Sequence, residues 1–506
     1  MTMVARWDYF EWTLPYQPQE HQNPFTQIRL QALVTGPDGT ACADGFYDGD
    51  GLFRIRFMPQ AIGVYTLTTS SNVPALHQQE TSFECVPASG DNHGPVNPDG
   101  MHFRYADGER CFIMGTTAYA WHYRPDEVCQ QTLDSLTRYG FNKVRMLVFP
   151  KHYSGSYAAV DISYEPPCYP FEGEPRAFDF TRPNPAYFAA LEKRIDQMRQ
   201  RNIIADVILF HPYDAGQWDL DLGMSEDDAL IYLRYIIARL AGYRNVWWSL
   251  ANEYNVSPGR PGIPGRYGND RRHWDVIGEY IHAHDPSGHP ISCHNINYCD
   301  IYPDRPWMSH VSYQLTDTYT LMLELQKEYR KPVINDEYQY EGNLPDDWGN
   351  LTPELALERH WRSVMACGYA THGECFIRDG NRKDIFWSYG GTITGEAAPR
   401  LRFMKDIVAT IPYETMHRDP MNTDGTDYYA ICNDDRSEYL LLFRRAVPPK
   451  KLYVTGWIGG GRPVRTYHAK FYDAWNCKLL EEYDMPSNTR IPFDRDWVVI
   501  HLKLVD

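Results

Sequence analysis

The sequence lacks the short motifs that mark several common enzyme classes. It contains no HExxH histidine pair, no GxGxxG or Walker glycine loop, and no GxSxG turn around a serine. These absences argue against a zinc hydrolase and against a dinucleotide-dependent enzyme. Among its 18 histidines, His282 and His284 lie two apart on a predicted helix and so face different sides. The sequence therefore predicts neither a metal site nor a cofactor.

Paired cysteine motifs are also missing. The chain has 11 cysteines, an odd number, and no two of them form a CxxC pair. This pattern supports neither a zinc ribbon nor a redox motif. Several cysteines lie in apolar runs, where a free thiol behaves as a small hydrophobic side chain. We therefore expect reduced cysteines and a cytoplasmic protein.

Long apolar runs and an excess of positive charge are absent as well. No window reaches the length of a membrane span, and Met1 to Phe10 lacks the apolar core of a signal peptide. The formal net charge is −17, which argues against nucleic acid and anionic membranes as partners. Solubility is an alternative explanation that accounts for this net charge equally well.

Aromatic residues, by contrast, are abundant. They make up 14% of the 506 residues and include 14 Trp and 37 Tyr. Such side chains suit a protein that stacks on flat apolar faces such as sugar rings, although many simply fill cores.

The hydrophobic pattern changes twice along the chain and predicts three domains. Residues 1–95 and 413–506 show short alternating strands bounded by turns, which is typical of β-sandwiches of the immunoglobulin or fibronectin kind. Residues 100–411 alternate strands with amphipathic helices. Eight strands with intervening helices in about 300 residues are the size and order of a (β/α)8 barrel. The predicted fold is thus an α/β TIM barrel between two β-sandwich domains.

The barrel prediction depends on specific segments. The predicted strands are Cys111–Ala118, Asn142–Phe149, Ile203–Phe210, Val246–Asn252, Pro290–Asn295, Val311–Leu315, Pro332–Asp336 and Ala370–Phe376. The predicted helices are Asp126–Tyr139, Pro185–Arg201, Ser225–Gly242, Arg271–His284, Thr318–Tyr329 and Pro353–Cys367. Two long segments, 150–185 and 254–270, follow strands and are expected on the catalytic rim.

Two of these strands end on acidic side chains. Val246 to Ala251 is apolar except for one serine and leads into Asn252 and Glu253, and Pro332 to Asp336 leads into Glu337. In an α/β barrel the C-terminal ends of the strands carry the chemistry. Two carboxylates that flank one bond are the minimum requirement for glycoside hydrolysis.

Three motifs in chain order resemble a known group of enzymes. Gly140-Phe141-Asn142-Lys143-Val144-Arg145, Trp248-Ser249-Leu250-Ala251-Asn252-Glu253 and Ile334-Asn335-Asp336-Glu337-Tyr338 are similar to strands two, four and seven of clan A glycoside hydrolases. Within that clan the segment Gly115-Thr116-Thr117-Ala118-Tyr119-Ala120-Trp121 most resembles the apiosidase-like group. The resemblance covers the barrel closely and the flanking domains in outline.

The resemblance implies a retaining, double-displacement mechanism with Glu253 as acid/base and Glu337 as nucleophile. It also implies that Asn252 binds the sugar 2-hydroxyl and that Arg145 keeps Glu337 ionised. One carboxyl must hold a proton and the other must be ionised, and retention needs them about 5 Å apart. Apiosidases tend to use an aspartate as the acid and often carry an acid where Thr116 stands, so the sugar is left open.

Further side chains at predicted strand ends are candidates for binding substrate, with packing as the alternative for each. They are Tyr119, Trp121, His122, His211, His294, Asn295, Gln314 and, beyond the last strand, Trp387. Asp336 is expected to point away from Glu337 along the strand and to play a supporting part. Glu374 is a rival for the catalytic carboxylate.

The sequence favours an exo-acting glycosidase on an oligosaccharide or glycoside substrate. Two alternatives stay open: an inverting or transglycosylating enzyme on the same scaffold, and a catalytically silent carbohydrate-binding barrel. The sugar, its ring form, its linkage and the formation of a homo-oligomer are left open.

Overall fold

The computed structural model describes residues 1–151, 164–212, 224–255, 271–296, 301–377, 385–419, 428–444, 464–487, 489 and 495–505. Within the predicted rim segments 150–185 and 254–270, residues 152–163 and 256–270 lie outside the described residues.

The N-terminal region is a seven-stranded sheet that folds over its own core. Its strands are β1 (Thr2–Ala5), β2 (Phe10–Pro15), β3 (Leu30–Gly36), β4 (Gly39–Tyr47), β5 (Leu52–Phe57), β6 (Gly63–Ser71) and β7 (Glu80–Val86), in the order β1-β7-β6-β3-β4-β5-β2. The first part of β4 pairs with β3 and the last part with β5, so this strand passes between the two halves. Phe10 of β2 stacks on Phe83 of β7 at 4.4 Å between ring centroids, although the two strands are not neighbours. The two halves therefore pack face to face, as in a sandwich.

The central region is a parallel barrel whose strands are buried. After the hairpin of β8 (Val96–Asp99) and β9 (His102–Tyr105), the barrel strands are β10 (Met114–Thr117), β11 (Lys143–Leu147), β14 (Ile204–Phe210), β15 (Val246–Ala251), β16 (Ile291–Ser292), β17 (Val311–Gln314), β18 (Val333–Glu337) and β20 (Tyr369–His372). They pair in the order β16-β15-β14-β11-β10-β20-β18-β17. The Ser309 amide donates to the Ile291 carbonyl at 2.9 Å, so the segments of β16 and β17 meet and close the barrel. Every residue of β14 and β15 is buried, as expected for strands covered on both faces.

Helices surround the barrel, and the first six of them occur where the 3.6-residue pattern predicts helices. They are α1 (Asp126–Tyr139), α2 (Pro185–Arg199), α3 (Glu226–Leu240), α4 (Arg271–His284), α5 (Thr320–Tyr329), α6 (Pro353–Met365), α7 (Phe386–Tyr389) and α8 (Ala397–Val408). Ser225 and Asp228 form a reciprocal capping box that starts α3. Gly140 ends α1 with a φ of 70°, a left-handed conformation that favours glycine.

The last predicted strand, Ala370–Phe376, is two strands in the structure. It divides at Gly373 into β20, which belongs to the barrel, and β21 (Glu374–Cys375), which pairs with β19 (Glu341–Gly342) outside it. A separate hairpin consists of β12 (Phe171–Glu174) and β13 (Ala177–Pro183). A continuous apolar run does not reveal where a strand changes its partner.

The described residues of the C-terminal region form a six-stranded sheet. Its strands are β22 (His417–Arg418), β23 (Tyr429–Cys432), β24 (Glu438–Phe443), β25 (Thr466–Asp473), β26 (Lys478–Pro486) and β27 (Val498–Leu504), in the order β22-β23-β24-β27-β25-β26. The predicted class, an α/β barrel flanked by β regions, is confirmed. The domain boundaries 1–95, 100–411 and 413–506 stay predictions.

A buried ion cluster joins the N-terminal sheet to the barrel. Arg56 of β5 donates to Glu192 of α2 at 2.6 Å, and Arg239 of α3 donates to the same carboxylate at 2.6 and 3.0 Å. Arg56 and Glu192 are each 7% exposed, and Arg239 is fully buried. Glu192 is thus shared by two buried guanidinium groups from different regions, and each of these has a second carboxylate partner, Glu11 for Arg56 at 2.7 Å and Asp48 for Arg239 at 2.8 Å.

We predict that Glu192→Gln destabilises the N-terminal sheet and the barrel together. Two buried arginines would lose the charge that they share, and each would keep only its second partner, Glu11 or Asp48, so the expected cost is at most about 3–5 kcal/mol of unfolding free energy. The midpoint of thermal unfolding measures the change. Asp99→Ala, which removes the exposed ion pair between Asp99 and Arg104, is the matched control and is expected to cost about 1 kcal/mol or less. Equal shifts in the two variants would contradict a joining role for the cluster.

Candidate active site

The strand β11 supplies two cations to the interior of the barrel. Lys143 and Arg145 lie two residues apart, so they project from the same face of the strand, and both are at most 1% exposed. The Arg145 guanidinium donates to Glu337 Oε1 at 2.7 Å, to the Asp336 carbonyl at 3.4 Å and to Asn252 Oδ1. One side chain of β11 therefore connects the ends of β15 and β18.

The Glu337 carboxylate is held through one of its two oxygens. Arg145 and the Tyr119 hydroxyl both donate to Oε1, and His294 Nε2 lies 3.5 Å from the same atom. Among the described residues, Oε2 has neither a hydrogen bond nor an ion pair. Burial by itself would raise the pKa of Glu337, but the Arg145 charge and the Tyr119 hydroxyl hold it below its usual range. The group is thus ionised at neutral pH, with one anchored oxygen.

Asp336 faces the barrel interior together with Glu337, so the expectation that it points away is wrong. Its carboxylate accepts from Lys143 at 2.6 Å, on the face of β11 that also carries Arg145. The reason is a register shift: Tyr313 pairs with Asn335, but Gln314 pairs with Glu337, and Asp336 is the extra residue. A bulge of this kind re-aims side chains that strict alternation would separate.

Glu253 lies just past the end of β15 in an unusual backbone conformation. Its φ is 52°, in the left-handed region that non-glycine residues seldom adopt and that clusters at functional sites. Burial and the nearby Glu337 charge raise its pKa to about 8, while Lys151 and a hydrogen bond from Gln314 act in the opposite direction. At neutral pH this carboxyl is therefore protonated.

The two glutamates thus meet at one end of the barrel in opposite protonation states. Each is near enough to influence the other, since the Glu337 charge is a main cause of the raised pKa of Glu253. One group can donate a proton while the other attacks or stabilises a positive centre. This is the division of labour that glycosidic bond cleavage requires.

Several of the predicted binding residues surround this pair. Asn252 and Tyr119 bond to the Arg145–Glu337 group, and Gln314 bonds to Glu253. His294 is fully buried and faces Glu337. His211 is 2% exposed, and burial and the Lys151 charge lower its pKa.

An aromatic cluster borders Tyr119. The Trp387 ring, 7% exposed, lies 5.3 Å from the Tyr119 ring, 5.7 Å from Tyr340 and 4.8 Å from Trp348, measured between ring centroids. This places Trp387 beside the residue that donates to Glu337, where a ring can face a bound sugar.

Trp121 and His122 do not join the site. Trp121 is fully buried in the main hydrophobic core, and its carbonyl accepts from Cys129 at 3.2 Å. His122 Nε2 is 3.1 Å from the Tyr187 hydroxyl on α2. Both belong to the short helical turn after β10, which packs against α1 and α2. We therefore assign them to packing in place of the predicted substrate contacts.

Asn295 and Glu374 also have structural partners. Asn295 Oδ1 accepts from the Gln314 amide at 3.3 Å and so connects the segments after β16 and on β17. The Glu374 carboxylate accepts from the Thr394 and Gly395 amides at 2.5–3.0 Å, ahead of α8. These contacts argue against Glu374 as the rival catalytic carboxylate.

Sequence reasoning missed the polar layer beneath the two glutamates. Asp336 accepts from Lys143, Ser312 and Thr371, each at 2.6 Å, and Lys143 also pairs with Asp206 at 2.7 Å. The sequence feature that could have revealed this layer is a polar side chain within each of the apolar strands β11, β14, β17, β18 and β20. Among the described residues no group of three or more His, Cys, Asp or Glu side chains could hold a metal ion.

Helices that could cross a membrane are not found in the described part of the chain. No curated protein matches the sequence.

Comparisons with known families and structures identify the family of the chain. The family model for the apiosidase-like catalytic domain matches residues 97–415, and a domain of unknown function designated DUF5060 matches residues 3–72. A protein from Bacteroides vulgatus ATCC 8482, provisionally named a glycoside hydrolase, is similar over 100% of both chains, with 34% identity and a TM-score of 0.87. A glycoside hydrolase family 5 protein from the same organism shares the fold at 18% identity and a TM-score of 0.61, over 81% of this chain and 93% of its own. The chain therefore belongs to the apiosidase-like family of glycoside hydrolases.

Proposed function

We propose that the protein is a retaining glycosidase in which Glu337 is the nucleophile and Glu253 is the general acid and base. The observation that carries this proposal is the opposite environment of the two carboxyls. Arg145 and Tyr119 keep Glu337 ionised, whereas burial and the Glu337 charge keep Glu253 protonated up to a pKa of about 8. A substrate bound between them would meet an acid and a nucleophile at the same pH.

The first step breaks the glycosidic bond and forms an ester. Glu337 Oε2 attacks the anomeric carbon, because Oε1 is engaged by Arg145 and Tyr119. Glu253 gives its proton to the glycosidic oxygen as the bond to the leaving group breaks. In the second step the Glu253 carboxylate takes a proton from water, the water oxygen attacks the anomeric carbon, and the Glu337 carboxylate leaves.

Arg145 supports both steps. Its charge stabilises the Glu337 carboxylate as a leaving group in the second step and sets the orientation of the Asn252 amide, whose Oδ1 it binds. In this proposal the Asn252 amide nitrogen donates a hydrogen bond to a sugar hydroxyl.

The substrate in this proposal is an oligosaccharide or glycoside that the enzyme shortens from one end. Trp387 and Tyr119 would contact the apolar face of the terminal sugar. If the enzyme is exo-acting, a defined oligosaccharide releases only monosaccharide at early times, as measured by anion-exchange chromatography. Early products of mixed length would reject exo action and leave the hydrolase proposal standing.

A cytoplasmic location belongs to the same proposal and rests on 11 cysteines without a CxxC pair. Cell fractionation followed by immunodetection of the chain tests it.

Replacement of either glutamate by glutamine separates the two roles. Glu337→Gln is expected to remove activity on every glycoside, because no ester can form. Glu253→Gln is expected to lower kcat/KM about 10²–10⁴-fold on alkyl glycosides and far less on aryl glycosides with acidic leaving groups, which need little protonation. Hydrolysis rates of both substrate types measure the difference.

Glu354→Gln, at an exposed position in the first turn of α6, controls for a general effect of the substitution. Near-normal turnover in Glu337→Gln would reject its role as nucleophile. ¹H NMR of the first-formed product tests stereochemistry, and the anomer opposite to that of the substrate would reject retention while leaving hydrolysis intact.

The pH profile follows from the two protonation states. Because Glu253 must be protonated, kcat/KM is expected to fall as the pH rises through about 8. Because Glu337 must be ionised and its pKa is lowered, the acid limb of the pH profile is expected below the ordinary glutamate pKa.

Gln314→Leu removes a hydrogen bond that lowers the pKa of Glu253, so the basic limb of the pH profile should move to higher pH. Gln130→Leu, an exposed glutamine on α1, is the control, and an unchanged basic limb in Gln314→Leu would contradict the assignment of that limb to Glu253.

A further inference from the structure

A chain of hydrogen bonds runs from the polar layer of the barrel to His294. Asp336 Oδ2 is 2.6 Å from Ser312 Oγ, and Ser312 Oγ is 3.0 Å from His294 Nδ1. His294 Nε2 then lies 3.5 Å from Glu337 Oε1. All four side chains are at most 8% exposed, so water does not compete for these contacts.

The Ser312 hydroxyl has one proton and two neighbours that could accept it. The Asp336 carboxylate is ionised, because Lys143 and Thr371 both donate to its Oδ1 and its pKa is lowered. An ionised carboxylate can only accept, so at 2.6 Å the hydroxyl must donate to Asp336. Ser312 Oγ therefore faces His294 as an acceptor.

A proton in this layer would reside on Asp206 rather than on Asp336. Asp206 Oδ2 pairs with Lys143 at 2.7 Å, but its Oδ1 is buried and has no hydrogen-bond partner among the described residues. Burial and the Asp336 charge raise the pKa of Asp206. Asp336 therefore stays ionised even when the layer holds one additional proton.

The direction in which the Ser312 hydroxyl donates determines the tautomer of the His294 imidazole. Since Ser312 Oγ accepts, His294 Nδ1 must carry the proton. Burial and the Arg145 charge lower the pKa of His294 and outweigh the Glu337 and Asp336 charges, which act in the opposite direction, so the neutral ring, with Nε2 unprotonated, is favoured. Nε2 is buried and, within the described part of the chain, has no hydrogen-bond donor facing it. A bare acceptor is thus left next to the proposed nucleophile.

We infer that Ser312 and Asp336 are positioning residues that hold His294 in the Nδ1–H tautomer, so that Nε2 accepts a hydrogen bond from a hydroxyl of the bound sugar. The inference rests on the proposed function for the identity of the ligand only. A glycone that lacks this hydroxyl would leave Nε2 buried and unpaired, and a site of this kind rejects such analogues strongly. Ser312 and Asp336 thus contribute to specificity through His294, without touching the substrate themselves.

The tautomer itself is tested without a substrate. In wild-type enzyme labelled with ¹⁵N-histidine, the His294 signals, assigned by their loss in His294→Gln or His294→Phe, are expected to show a protonated Nδ1 and an unprotonated Nε2. In Ser312→Ala the ring is free to protonate Nε2 and donate to Glu337, so the pattern should invert. Ser312→Thr keeps a hydroxyl and should restore the wild-type pattern. A protonated Nε2 in the wild type would overturn the inference.

The substrate contact is tested with monodeoxy analogues of whichever aryl glycoside the enzyme hydrolyses. For the wild type, removal of one particular hydroxyl should lower kcat/KM about 10-fold or more. In Ser312→Ala, whose Nε2 no longer accepts, removal of the same hydroxyl should have little further effect. If, for every hydroxyl, its removal lowers kcat/KM by the same factor in Ser312→Ala as in the wild type, the proposed contact is wrong. If no glycoside is hydrolysed, the proposed function fails while the NMR result still decides the tautomer.

Discussion

The site depends on one buried cation. Arg145 extends from β11 and binds the side chains that follow β15 and end β18, so a single guanidinium sets the relative position of three strand ends. Removal of such a group from water costs several kcal/mol, and the cost is offset only if its donors are paired. Glu337, Asn252 and the Asp336 carbonyl provide that pairing. The same charge lowers the pKa of Glu337, so one interaction serves both the fold and the chemistry.

The layer beneath Arg145 follows the same physical rule. Lys143, Asp206 and Asp336 are almost fully buried, and Ser312 and Thr371 donate to the carboxylate of Asp336. Buried polar groups are tolerated when their hydrogen bonds are made, and they then restrict the orientation of their neighbours. The bulge at Asp336 is essential here, because it lets two consecutive acids face the same interior. The ion cluster of Arg56, Glu192 and Arg239, which joins the N-terminal sheet to the barrel, is tolerated for the same reason, because its buried charges are paired.

The predicted and observed structures differ at identifiable places. The eight barrel strands and six helices occur where the hydrophobic period predicts them, because burial on both faces of a strand or on one side of a helix leaves a direct trace in the sequence. The predicted strand Ala370–Phe376 divides at Gly373, and Trp121 and His122 pack against α1 and α2. Residues just past the end of a strand show no such periodic pattern of apolar side chains, so the direction of their side chains depends on the turn that follows.

The sequence by itself determined the class of fold, the order of its elements and the pair of strand-final glutamates, because each of these is written as a local pattern of apolar and polar residues. Which of the candidate residues surround that pair depends on the tertiary structure. Tyr119, Arg145 and His294 come from three separate strand regions, and their distances to Glu337 depend on barrel closure and on a one-residue bulge. The protonation states follow from burial and from charges brought together across about 200 residues of chain, and a linear pattern does not encode such distances.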